Sequence, residues 1–169
     1  MSNARQILIA LAAVIVSVMV QTTLFRRVEP YGVAPDLVIL VVIGASRWLQ
    51  PEPAVLLGFT AGLLLDLLGS TPLGLRALVF TLVAFGTLRF RDAFEENPFL
   101  LMGAVGALSL VGVVLLALIG TLFGERTFSD ASVWRTILLV PVYNVIAGIV
   151  VIPLLTRLLR PAAIRGRVL

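Results

Sequence analysis

The sequence contains no cysteine, no histidine and no lysine. Without cysteine there is neither a disulfide nor a thiolate nucleophile. Without histidine the chain lacks the usual general base near neutral pH and the commonest metal ligand. Without lysine, Schiff-base chemistry and P-loop phosphate binding are both excluded. All 13 basic residues are arginine. Charge of either sign is scarce, at 13% of residues, about half the roughly 25% of a soluble domain.

What the chain does have is apolar surface: 60% of its 169 residues are hydrophobic. Lipid is therefore the solvent for most of it. A membrane-spanning helix takes about 20 residues, so six of them would occupy about 120 and leave only short loops and tails. This predicts an all-α fold: a polytopic membrane helix bundle with six transmembrane segments, one integral membrane domain over residues 1–169, and no water-soluble domain. The first apolar run is long enough to span, and no small-x-small cleavage site ends it, so it reads as a helix rather than a signal peptide.

Six apolar runs are visible, at residues 7–25, 37–45, 54–68, 75–88, 98–123 and 133–159. Pro51 and Pro53 break the chain before the third, and Pro98 opens the fifth at a first-turn position where its missing N–H costs little. Residues 89–97 read as a polar loop, and Pro141 and Pro153 as breaks in the sixth run. Runs two to four are short. The second would reach only about 14 Å as a helix, against about 30 Å of hydrocarbon. These segments are expected to be tilted or re-entrant and to form the packed interior of the bundle, because irregular backbone at membrane depth must be covered by protein.

Six spans put both termini on one side. That side collects Arg5, Arg47, Arg89, Arg91, Arg157, Arg160, Arg165 and Arg167. The other has Arg26, Arg27, Arg126 and Arg135, with Arg76 if it faces outward. The excess predicts cytoplasmic termini. The tail arginines Arg157, Arg160, Arg165 and Arg167 suit anionic lipid headgroups, worth about 1 kcal/mol per residue near the surface.

The third run carries the most informative pattern. Ala54, Gly58, Gly62 and Asp66 recur every fourth residue and share one helix face. Small residues in line let another helix approach closely in lipid, either a neighbour in the same bundle or a partner's helix. Ala13/Ser17 in the first run and Gly103/Ala107 in the fifth are alternative partner faces. Asp66 lies one turn from the end of its run, and a carboxylate in the bilayer needs a partner. Arg76 is expected to be that partner, pairing across the turn containing Pro72 and Gly74 and fixing how spans three and four meet. Asn144, between Pro141 and Pro153, reads as an interhelical hydrogen-bonding residue on the same face as Gly148.

These residues make a poor enzyme. A membrane aspartyl protease needs two opposed carboxylates, and only Asp66 lies deep. Serine and metal proteolysis of the membrane type both need histidine. No cofactor or metal is expected. Nucleic-acid binding is a poor fit, because the positive charge is spread along membrane flanks rather than gathered on one soluble face.

Two stretches carry a family resemblance. They are Pro35-Asp36-Leu37-Val38-Ile39-Leu40-Val41-Val42, and the run from Gly58-Phe59 through Gly62-Leu63 and Asp66 to the turn Ser70-Thr71-Pro72-Leu73-Gly74. With Tyr143-Asn144 and Pro153 in the last run, they resemble the rod shape-determining protein MreD family. That family shows a Pro-Asp-Leu-rich second segment, then Gly-Phe-x-x-Gly-Leu-x-x-Asp and a Ser-x-Pro-x-Gly turn. Arg76 departs from the pattern, where a smaller or aromatic residue, often His, is expected. The resemblance implies a non-enzymatic scaffold of the cell-wall elongation complex in the bacterial inner membrane. It would bind MreC and connect through it to RodA, to the transpeptidase partner of RodA, and to MreB. It further implies a fold like that of the substrate-binding membrane subunits of energy-coupling-factor transporters. A vitamin-binding transporter subunit is thus the alternative function, which should show polar side chains converging on an outward-facing pocket. Polar residues near that face, counted from the sequence, are Gln21, Thr22, Thr23 and Ser70.

Overall fold

A computed structural model describes residues 4–23, 33–69, 72–123 and 131–160. These form six helices: α1 Ala4–Thr23, α2 Leu37–Ser46, α3 Pro51–Leu68, α4 Leu75–Glu96, α5 Pro98–Leu122 and α6 Ala131–Leu159. Four of them, α1, α3, α5 and α6, are long and apolar enough to cross a membrane. The fourth helix has the length, at 22 residues, but carries Arg76, Arg89, Arg91, Asp92, Glu95 and Glu96. Only α2, at 10 residues, is short.

Three boundaries differ from the hydropathy reading, each for a local reason. Pro51 and Pro53 do not break the chain; they open α3, because the first-turn N–H groups they lack have no helical acceptor in any case. The expected polar loop 89–97 is mostly helix, since α4 runs on to Glu96. Arg, Phe, Asp, Ala and Glu there include no breaker, and polarity alone does not end a helix that has reached the membrane surface. Asn97 makes the turn instead, its side-chain oxygen accepting from the N–H of Phe99 at 2.9 Å and of Leu100 at 3.4 Å to cap α5. Third, α6 passes through both Pro141 and Pro153 without ending. Prolines are tolerated in membrane helices because neighbouring groups satisfy the backbone they free. With α3 and α4 lengthened in this way, shortness is confined to α2.

The short helix is the axis of the bundle. Every residue of α2 from Val38 to Ser46 is buried. It lies parallel to α6, with Gly148 facing Leu40, and Gly44 facing Ile152 and Leu155. Successive long helices pack antiparallel: α3 on α4, α4 on α5, α5 on α6. One apolar cluster draws on all six helices, including Val14, Ile39, Ile43, Leu57, Phe80, Val105 and Leu155. At one end, Gln6 Nε2 of α1 donates to the Leu159 carbonyl of α6 at 2.8 Å. The other end holds the last turns of α1, α3 and α5 and the first turns of α2, α4 and α6.

Candidate functional site

Of the buried polar side chains, that of Asp66 lies at that second end. Asp66, at the last turn of α3, is 2% exposed. Its Oδ2 accepts from the N–H of Gly74 at 2.9 Å, Arg76 at 3.1 Å and Ala77 at 3.3 Å, and its Oδ1 from Arg76 at 3.2 Å. Those nitrogens are the unsatisfied donors at the start of α4. A carboxylate there also meets the positive end of the helix dipole. Gly74 is the N-cap residue of α4, with φ +92°, a left-handed conformation that glycine adopts at no steric cost. The capping side chain comes from the preceding helix.

Arg76 therefore meets Asp66 with its main chain. The guanidinium, expected from the sequence to be the partner, makes no ion pair among the described residues. The start of α4 supplies main-chain donors directly at the carboxylate. Of the turn, Pro72 and Gly74 are described, while Ser70 and Thr71 lie outside the described residues.

The small face of α3 is filled from within. Ala54 is fully buried, and Gly58 and Gly62 are buried with it. A Cβ on Gly58 would stand 2.5 Å from the Phe80 carbonyl oxygen, and one on Gly62 would run into the main chain of Arg76 and Ala77. The close approach allowed by small residues is taken up by α4. By contrast, Gly103 and Ala107 on α5 are exposed, and nothing lies within 4 Å of a Cβ built on Gly103.

A second buried anchor sits across the bundle. Asn144 of α6 is fully buried. Its Oδ1 accepts from the Asp36 N–H at 2.9 Å, and its Nδ2 donates to Ser109 Oγ of α5 at 3.0 Å. It joins α5, α6 and the lead-in to α2. Helix α2 spans only about 15 Å, so at least one of its ends lies below the membrane surface, where water cannot satisfy its first N–H groups. Side chains do so instead: Gln21 Oε1 accepts from Val38 at 3.2 Å and Asp36 Oδ1 from Ile39 at 3.1 Å. The sequence shows Asp36 in the family-like stretch and Gln21 among the polar residues of the outer face, but neither as a cap of α2, and Ser109 carries no signal at all. An Asp directly before an apolar run is an N-cap signal that identifies the role of Asp36.

Asp36, Arg76, Gln21 and Thr136 line one cavity of about 300 Å³, walled otherwise by apolar side chains such as Val113 and Val140. Polar groups thus converge at this end in greater variety than a count along the sequence suggests. At the opposite end a larger cavity of about 630 Å³ lies between the start of α3 and the end of α4, with Glu52, Arg89, Arg91 and Asp92 in its lining. Arg157 and Arg160 are exposed at the end of α6, whereas Arg165 and Arg167 lie outside the described residues. A third hollow is a nearly wholly apolar groove of about 390 Å³, lined by Ala12, Ala13 and Ser17 of α1 and by Val151, Leu154 and Leu158 of α6. The Ser17 hydroxyl there is turned onto its own helix, donating to the Val14 carbonyl at 2.8 Å.

Among the described residues no three acidic side chains gather in a way that could hold a metal ion. The family model for rod shape-determining protein MreD matches residues 1–162 of the chain. No curated protein and no solved structure matches.

Proposed function

The chain belongs to the rod shape-determining protein MreD family, and on that premise we propose that it is a non-enzymatic scaffold that binds MreC in the cell-wall elongation complex. The family is one of shape-determining membrane proteins, and this member is an integral membrane protein with a part in determining rod shape. In the proposal all six helices cross or enter the bilayer as a single domain, with both termini cytoplasmic. MreC is the direct partner, and RodA, its transpeptidase partner and MreB are reached through it.

The observation that carries this reading is the apolar groove between α1 and α6. Its α1 wall, from Ile9 to Val20, is about 16 Å long. Its only hydroxyl is internally bonded, so its occupant must be apolar along its length. A single membrane-spanning helix meets that requirement, and small residues such as Ala12, Ala13 and Ser17 allow it close approach. The α3 face is less suited, being occupied by α4.

Co-purification with MreC in mild detergent tests the proposal. Wild type should bring down the partner. Ala12→Leu and Val16→Trp, at two exposed positions that fill the groove from outside the core, should lose it while melting like wild type. Retention of MreC by both variants would remove the groove as the seat. A second reading, a vitamin-binding transporter subunit, draws on the cavity at the Asp36 end. Absence of the MreC complex with wild type, together with a vitamin retained through purification, would favour it.

A further inference from the structure

Asp36 and Arg76 line the same cavity from two different elements, the lead-in to α2 and the first turn of α4. They do not close on each other. Among the described residues the Arg76 side chain has no hydrogen-bond or ion-pair partner, and the Asp36 carboxylate accepts only from the Ile39 N–H. Charges at membrane depth ordinarily pair. Two opposite charges that share a cavity and stay apart leave a space matched to both.

The main chain beneath each charge is also held by a buried anchor of its own. Asp66 fixes Arg76 through two bonds to its N–H, and Asn144 fixes Asp36 through one. The anchors are 2% and 0% exposed. A recognition site needs its charged groups set on backbone that cannot drift, and here both are so set. The cavity, at about 300 Å³, is at the small end of ligand sites. Gln21 and Thr136 add neutral hydrogen-bonding groups, and Val113, Leu116 and Val140 add an apolar wall.

We propose that this cavity binds a headgroup-sized zwitterion of the phosphoethanolamine type. The phosphate rests on the Arg76 guanidinium, whose planar fork suits phosphate oxygens. The ammonium meets the Asp36 carboxylate, and the connecting carbons lie on the apolar wall. Such a group reaches a cavity at this end of the bundle either as the headgroup of a phosphatidylethanolamine or as a free soluble molecule.

The test uses the full chain in detergent, followed by thermal unfolding with glycerophosphoethanolamine, glycerol 3-phosphate or ethanolamine. The zwitterion should raise the midpoint, and each half-molecule should do so less. Arg76→Gln and Asp36→Asn should each weaken binding at least tenfold, the loss of one charge-assisted contact, while Arg76→Lys, which keeps the charge without the fork, should weaken it less. Neither variant removes a main-chain donor, and Asn caps a helix as well as Asp does, so the unliganded midpoints should stay near wild type. If one of them falls, the half-molecule comparison on wild type and Arg76→Lys decides. A second arm reconstitutes the protein in nanodiscs of phosphatidylethanolamine and phosphatidylglycerol and identifies retained lipid by native mass spectrometry. Retained phosphatidylethanolamine, lost in both charge variants, assigns the lipid as the source. A midpoint shift without retained lipid assigns the soluble molecule. The proposal fails if neither is seen, if glycerol 3-phosphate alone equals the zwitterion, or if shift and retention survive both substitutions.

Discussion

Asp66 at the end of α3 grips the main-chain N–H of Arg76 in α4 with both carboxylate oxygens, at 3.2 and 3.1 Å. The turn through Pro72 and Gly74 is thus a joint in which one helix caps the next, and the side chain of Arg76 is left to line a cavity.

Asp66→Ala should destabilise the protein by about 2–4 kcal/mol, combining the loss of a helix cap with buried donors left unsatisfied. Asp66→Asn keeps an acceptor and should cost about half as much. Thermal unfolding in detergent measures both. An Asp66→Ala protein that melts with wild type would show that the α4 N-terminus needs no cap.

Glycines of α3 and α5 should part company. Gly62→Ala drives a methyl into the main chain of Arg76 and Ala77, which cannot yield without separating α3 from α4. It should cost about 2 kcal/mol or more and lower the amount of protein in the membrane. Gly103→Ala meets nothing within 4 Å and should be neutral or stabilising by up to about 1 kcal/mol. Equal effects of the two would contradict the packing described for α3.

Asn144→Leu should cost about 1–3 kcal/mol, because it strands the Asp36 N–H and the Ser109 hydroxyl in apolar surroundings. Ser109→Ala removes one interhelical bond and should cost about 0.6 kcal/mol. Unfolding midpoints that rank the other way would move the anchor from Asn144 to Ser109.

The absence of native cysteine allows orientation to be read by single labelling sites. Arg160→Cys, on an exposed position at the end of α6, should react with a membrane-impermeant maleimide only once the membrane is opened. Leu73→Cys, 69% exposed at the other end of the bundle, should react in intact cells. The reverse pattern would place both termini outside.

Much of this architecture was legible in composition and spacing. The six helices follow from the apolar runs, and the small face of α3 from its period of four. What hydropathy misplaced were ends: Pro51 and Pro53 open α3, and Arg89 to Glu96 extend α4, because polarity marks where a helix leaves lipid and not where it stops. The Asp66–Arg76 relation was legible as a proximity across a tight turn. Its chemistry was not, since nothing in a sequence distinguishes a guanidinium partner from the N–H groups on the same residues. The cavity was hidden for a related reason. Gln21, Asp36, Arg76 and Thr136 come from four separate segments and share a wall only because α2 is buried against α1, α4 and α6.

Helix α2 lies parallel to α6 and is covered by it from Asp36 to Gly44. During synthesis α2 leaves the ribosome roughly a hundred residues before α6 does. Ten residues are too few for insertion machinery to hold as an independent span, so α2 must wait among α1, α3 and α4 with one flank uncovered. The last helix closes that seam, and Asn144 supplies the final acceptor as it arrives. A nascent chain halted before α6 would therefore expose a short, nearly all-apolar segment with an unmet main-chain donor.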